Sequence, residues 1–212
     1  MSLLRVVRAS IAGCSLVVLA AALGACTYGL SSSKEEHFKL YQARMPKGDT
    51  VTVCSAYGCQ AQTDYAFTRS EINGMIGVFN KAKRSDTPSE ERRAIGYVIA
   101  WIEQAVGRQI GTAADRKSID FSGAGDSSQQ DCVDEATNST SYMLIMAKHG
   151  LIRHHSVESP ISKGSLIDGR WPHYGAHIIE KSSGKDWVVD SSMDTNGKLP
   201  IIMRAKDWYI PG

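Results

Sequence analysis

Apolar positions along the chain fall first into stripes of helical period. Ile95, Val98, Ile99, Ile102 and Val106 share one face behind Thr87-Pro88-Ser89-Glu90, a capping signal with proline at the first helical position, and the stripe ends near Gly107. Ala136, Thr140, Met143, Leu144, Ala147 and Leu151 form a second stripe, with Gly150 as its C-terminal stop. A further helix is predicted over 70–83, weakened by Gly74 and Gly77. The pattern then changes to β-rich runs. Ala176-His177-Ile178-Ile179-Glu180 and Asp186-Trp187-Val188-Val189-Asp190 flank a Ser-Gly turn and read as an antiparallel hairpin. With the turn centred between Ser183 and Gly184, a two- or four-residue loop sets Ile178 opposite Val189 and His177 opposite Asp190. A three-residue loop bulged at Gly184 shifts this register by one.

Cys132 heads the second stripe. In the first turn of a helix a thiol meets unsatisfied N–H groups and the positive end of the macrodipole, which favour the thiolate. With His177 as base and Asp190 orienting the imidazole, Cys132 becomes the nucleophile of a Cys-His-Asp triad. His173 competes for the base role, but it sits in Trp171-Pro172-His173-Tyr174-Gly175, which reads as a loop, and the same register sets it opposite Asp194. His149, His154 and His155 read as exposed connector residues, and His37 lies in the N-terminal segment. Taken singly, Cys132 is a small core residue and His177 a hydrogen-bonded core histidine; their order and spacing argue for chemistry.

Three segments, Gln130-Asp131-Cys132-Val133-Asp134-Glu135-Ala136, Gly175-Ala176-His177-Ile178-Ile179 and Trp187-Val188-Val189-Asp190, resemble the core motifs of transglutaminase-like proteins. The resemblance is greatest to bacterial transglutaminase-like cysteine proteinases and covers roughly residues 65 to 210. It implies a papain-like α+β core with the cysteine helix packed on an antiparallel sheet, and Cys132, His177 and Asp190 in the three roles. Periplasmic members that cleave biofilm adhesins bind calcium through acidic residues flanking the cysteine. Here Asp131 precedes Cys132 but Val133 follows it, so no metal and no cofactor is expected. The expected activity is that of a cysteine peptidase or amidase attacking a protein or peptide substrate through a thioester. An amine-acceptor transglutaminase shares that intermediate, and a non-catalytic envelope binding or scaffold lipoprotein is the alternative of another class. The Cys132 N–H is expected in the oxyanion hole, with Gln129 or Gln130 as candidates for a second donor.

Residues 1–26 bear on compartment. Arg5 and Arg8 precede an apolar run from Leu16 to Leu23 ending in Leu23-Gly24-Ala25-Cys26, which looks like a bacterial lipoprotein signal. The expected organisation is a signal peptide over 1–25, a lipidated Cys26 with a tether over 26–49, and an enzyme domain over 50–212. A transmembrane anchor from Ala9 is the minority alternative. Thr27 is not the aspartate of an inner-membrane retention signal, so the periplasmic face of the outer membrane is the expected place. Cleavage removes Arg5 and Arg8 and no acid, leaving 22 basic residues against 22 acidic ones. Without a basic stripe no nucleic-acid partner is expected, and Arg92-Arg93 reads as a solvated face. Roughly 185 residues suffice for one domain with a core. In an oxidising envelope Cys54 and Cys59 are expected to pair and leave Cys132 free. Zinc lacks a second ligand pair, and independent thiols are the remaining alternative. Oligomeric state is not legible.

Overall fold

Side-chain caps set where the helices begin. Ser33 caps α1 (Lys34–Leu40), and Thr68 with Glu71 forms a reciprocal capping box on α2 (Arg69–Ala82). Thr87 caps α3 (Pro88–Ile110), and Asp131 with Asp134 boxes the start of α4 (Cys132–Lys148). These come from a computed structural model that describes residues 33–117, 121–164 and 172–209; the expected signal peptide and Cys26 lie outside those residues. Helix α3 runs one turn beyond Gly107. A Cβ at Gly107 would lie 3.0 Å from Asn196 Nδ2 and 3.1 Å from Ala113 N, so that glycine serves close packing. Gly111, at φ 98, ends the helix.

Strands β1 (Thr50–Ser55) and β2 (Ala61–Ala66) form a hairpin. Strands β3 (His155–Lys163), β4 (His173–Glu180), β5 (Lys185–Asp190) and β6 (Ile201–Arg204) form an antiparallel sheet in chain order, followed by the single turn α5 (Ala205–Trp208). The fold is therefore α+β with antiparallel sheets. Ala176, Ile178 and Val189 on one sheet face join Met143 and Ile145 of α4, Ile95 and Ile99 of α3, and Val51 and Val53 of β1 in one core. Between these layers α4 is buried continuously from Cys132 to Met143. Its two buried threonines are satisfied by its own backbone: Thr137 Oγ1 donates to Val133 O and Thr140 Oγ1 to Ala136 O, each at 2.7 Å.

Four sequence expectations need correction. The hairpin register is two residues away from the one expected: His177 faces Val188, Ala176 faces Val189, and a four-residue loop follows the Glu180–Lys185 pair. Gly184 takes its left-handed conformation, φ 65, at the last loop position, and its N–H closes on Glu180 O at 2.8 Å. A two-residue slip keeps each residue on its face but moves it along the strand. The expected tether also contains α1, which buries His37 and Phe38. His155 is buried rather than exposed; its Nδ1 lies 2.9 Å from Glu91 Oε1, which also accepts the His154 N–H. Arg92 is no solvated face: its guanidinium bonds Glu180 at 2.7 Å and lies 3.6 Å over the Trp187 ring.

Burial of the α1 histidine has a consequence for stability. Thr137 gives its proton to Val133, so His37 Nε2 donates to Thr137 Oγ1, at 2.8 Å. Burial lowers the His37 pKa from 6.5 to about 4. The folded value lies below the unfolded one, so the neutral ring's contribution is complete above 6.5 and is lost as pH falls towards 4, to a total of ~3 kcal/mol. Thermal melts from about pH 7.5 to about pH 4.5 should show an acid loss that is clearly shallower in His37→Gln. An identical slope in the variant would refute this linkage.

Candidate active site

A stapled loop holds the start of α4. Cys54 and Cys59 are disulfide-bonded, leaving Cys132 as a free thiol, and Ala56, Tyr57, Gly58 and Cys59 all adopt positive φ. Successive left-handed residues turn their N–H groups inward, which makes a concavity for an anion. Tyr57 and Cys59 donate to the Asp134 carboxylate at 2.9 and 2.6 Å, and Gly58 to Asp131 Oδ1 at 3.1 Å. Asp131 Oδ1 also accepts the N–H groups of Val133 and Asp134. One turn further, Asn138 accepts from Cys54 N at 2.7 Å and donates to Cys54 O at 2.9 Å. The disulfide loop and the first two turns of α4 thus form one hydrogen-bonded unit, with Cys132 at its head. The Cys54 and Cys59 sulfurs cluster with Asp134, but bonded to each other they offer no thiolate to a metal.

The backbone on both sides of His173 brackets the Cys132 sulfur. Its thiol approaches Pro172 O at 4.0 Å and it accepts the Tyr174 N–H. His173 Nε2 lies 2.7 Å from Asp190 Oδ2. Asp190 is also held by Trp208 Nε1–H at 3.0 Å and by the Ser192 hydroxyl at 2.9 Å. Burial alone would raise the Asp190 carboxyl, but the bonds from His173, Trp208 and Ser192 hold it below its ordinary value. An ionised Asp190 accepts a hydrogen bond from His173 Nε2–H, which leaves Nδ1 as the ring nitrogen turned to other partners.

The histidine expected as base is therefore not the one the fold presents to Asp190. His177 bonds Asp186 at 3.2 Å instead, since the observed register moves it away from Asp190. His173 opens β4 rather than lying in a loop, and between the two histidines stands Gly175. A Cβ there would sit 2.4 Å from Val188 Cγ1 and 3.4 Å from Trp208 Cζ2. Its bare backbone lets the indole lie across the strand, reach Asp190 and pack on the His173 ring at 5.6 Å. A glycine inside a strand, two residues after His173, is the sequence signal for this close approach.

Electrostatics at the sulfur also run against expectation. Burial, aided by the nearby Asp131 and Asp190 carboxylates, pushes the Cys132 thiol up to about 12, while the Tyr174 N–H acts in the other direction. Tyr174, Val133 and Ala136 pack around Cys132 with Tyr41 against them. The Tyr41 and Tyr174 rings meet edge to face at 6.0 Å, and His37 lies 5.0 Å from Tyr41. Burial and its bond to Tyr174 push the Tyr41 phenol up. Tyr174 belongs to β4, whereas Tyr41 and His37 come from α1 and the residue after it, within the expected tether.

Neither glutamine proposed for the oxyanion hole is aimed at the thiol. The Gln129 side-chain nitrogen bonds Ser128 O and Oγ, both at 3.2 Å, and that of Gln130 bonds Cys54 O at 2.9 Å. Both brace the loop that leads into α4. The Cys132 N–H, at the head of the helix, is a donor at the sulfur together with that of Tyr174. A calcium ion flanking the cysteine finds few ligands: Asp131 Oδ1 already accepts three backbone N–H groups, and the Val133 side chain has no oxygen. Among the described residues no helix is long and apolar enough to cross a membrane. Comparison with known family models, characterised proteins and solved structures finds no match.

Gly175→Ala should lower stability by ~1–3 kcal/mol, because its methyl overpacks Val188. It should also shift the His173 ring resonances as Trp208 is pushed from Asp190. Urea melts and NMR measure both effects. Unchanged stability together with an unmoved His173 signal would contradict this packing.

Proposed function

We propose that the chain is a transglutaminase-like cysteine peptidase or amidase with a papain-like core, in which Cys132, His173 and Asp190 do the chemistry. The observation that supports this reading is the His173 Nε2 to Asp190 contact of 2.7 Å, with the Cys132 sulfur set against the backbone of the two residues that flank His173. In the reaction His173 Nδ1 takes the thiol proton as sulfur attacks an amide carbonyl. The Cys132 N–H faces the developing oxyanion, and the amine leaves with the proton held on His173. Water then gives a proton to His173 and attacks the thioester, which releases the acid and restores the thiol. An amine in place of that water gives transamidation by the same steps. A protein or peptide substrate follows from the resemblance of the three motifs.

The neutral buried thiol is the one observation favouring the rival reading of a non-catalytic binding or scaffold lipoprotein. A small activated ester, p-nitrophenyl acetate, distinguishes the two without knowledge of the natural substrate. Acetyl-Cys132 should form and turn over in the wild type and be absent in Cys132→Ala. His173→Ala should lower turnover by ~100-fold or more, and His177→Ala by less than ~3-fold. Inactivity of the wild type would favour the scaffold. A folded, inactive His177→Ala beside an active His173→Ala would overturn the assignment of the base.

The same reading places the enzyme on the periplasmic side of a bacterial envelope, anchored through Cys26, on the strength of Leu23-Gly24-Ala25-Cys26 behind an apolar run. Metabolic labelling with a palmitate analogue should be lost in Cys26→Ala. Labelling that persists would remove the anchor.

A further inference from the structure

The two edges of the four-stranded sheet differ. At β3 the edge is closed by α1, where Lys34 Nζ donates to Val157 O at 2.8 Å and Ser159 Oγ to Ser33 O at 3.1 Å. At β6, among the described residues, no strand or turn bonds the outer side. Alternate residues of such an edge hold N–H and C=O groups outward, a template for another strand. Arg204, the charged residue of β6, does not blunt that edge, because its Nε donates back to Asp186 O of β5 at 3.2 Å. Beside β6 lies a groove of about 320 Å³ lined by Gly96 and Tyr97 of α3 and by Leu199, Pro200 and Ile202. A Cβ on Gly96 would touch Ile202 Cδ1 at 3.4 Å and Pro200 Cγ at 3.7 Å, so α3 and the β6 segment meet at this glycine. Of the six large apolar side chains exposed among the described residues, three lie at this edge: Tyr97, Leu199 and Ile201, at 39, 53 and 46%. The polar wall of the groove is Ser89, Arg92 and Arg93, with no acid among the lining residues. Both arginines make their hydrogen bonds through Nη1, Arg92 to Glu180 and His155 and Arg93 to Ala82 O, with Glu90 3.6 Å from the same Arg93 nitrogen. Each therefore keeps Nη2–H groups for an incoming carboxylate.

We propose that the β6 edge and its groove bind an extended segment of a partner protein that carries apolar residues at alternate positions and an acid on the same face. The segment adds to the sheet as a fifth strand. Its main chain bonds the outer side of β6, its apolar side chains enter the groove over Leu199, Pro200 and Ile202, and its carboxylate meets Arg92 and Arg93. Charge decides the class of occupant. A second copy of this chain, paired β6 to β6 about a two-fold axis, would bring two arginine-lined grooves together and supply no acid to either. The docked strand would lie next but one to Asp190, since Ile201 pairs with Asp190 across β5 and β6. The surface uses no group of the thiol site and stands whether or not Cys132 is a nucleophile.

The test titrates the purified chain with two capped heptapeptides, read by anisotropy of an attached fluorophore and by NMR. One has glutamate at both ends, valine at the third and fifth positions and threonine between; the other has lysine in place of glutamate. The glutamate peptide should bind with a Kd of ~1 mM or below and shift the amide signals of Leu199 to Arg204, and the lysine peptide should bind at least ~10-fold more weakly. Leu199→Glu and Arg93→Glu, both at the surface, should each weaken the glutamate peptide by ~5-fold or more. Should a variant not fold, methylated peptides on the wild type provide the second measurement. An added strand bonds its neighbour through alternate residues, so N-methylation of the threonine set or of the valine set, but not of both alike, should abolish binding. Absence of binding by the glutamate peptide overturns the proposal, as does equal binding of the lysine peptide or binding that both substitutions leave intact. Binding that survives methylation of either set excludes strand addition and also overturns it. Sedimentation that shows a dimer dissociated by Leu199→Glu, with no peptide bound, would give this edge to a second copy and overturn it as well.

Discussion

The first turn of α4 is where the rest of the site is fastened. A helix start leaves N–H groups without partners, and Asp131 takes two of them. Asp131 and Asp134 then collect three more from the loop closed by Cys54 and Cys59. That loop holds three non-glycine residues at positive φ, each a disfavoured conformation for a side chain with Cβ. Bonds to buried carboxylates and the covalent closure offset this strain. The loop and helix therefore order each other: without the acids the inward N–H groups would be buried unpaired, and without the loop Asp134 would be a buried charge with little solvation.

A second constraint, steric rather than electrostatic, places the histidine. Asp190 ends β5 and His173 begins β4, and these two reach each other past Gly175, where any side chain would strike Val188. Trp208, arriving from α5, completes the arrangement by donating to the same carboxylate oxygen as His173. The short C-terminal helix thus bears on the chemistry of a strand far from it in sequence. Its role follows from the glycine, which gives the indole a flat backbone to lie against.

Sequence patterns were most informative where the controlling interactions are local. Stripes at Ile95 to Val106 and Ala136 to Leu151, with the Thr87 cap, placed α3 and α4, and the Cys54–Cys59 spacing gave the disulfide. The hairpin was legible as a hairpin, but its register depended on whether Gly184 closes the loop at its centre or its end. That choice is made by the bond to Glu180 O and cannot be read from composition. His173 looked like loop because Trp171-Pro172 precedes it, whereas pairing with Lys163 makes it the first residue of a strand. Helix α1 carries charged residues on most positions and one buried pair, His37 and Phe38; too short for periodicity to show, it was signalled only by Ser33 at its cap. Its packing depends on contacts such as His37 with Thr137, a hundred residues away. Strands β1, β2, β3 and β6 lie outside the two β-rich runs that the pattern singles out, although Thr50 to Val53 of β1 are four β-branched residues in a row.

The thiol state follows from comparing two opposed effects. A helix N-terminus favours an anion by at most ~2 kcal/mol even when partly buried. At Cys132 the net displacement is upward, from 9.0 to about 12, or ~4 kcal/mol against the thiolate. Desolvation therefore outweighs the dipole, and Asp131, which caps that dipole, adds a negative charge of its own near the sulfur. A position at the head of a helix is consequently insufficient to make a cysteine nucleophilic when Tyr41 and Tyr174 exclude water from it. For acyl transfer at Cys132, ionisation must accompany proton transfer to His173 rather than precede it. Its difficulty is set by how firmly α1 holds the aromatic cover in place.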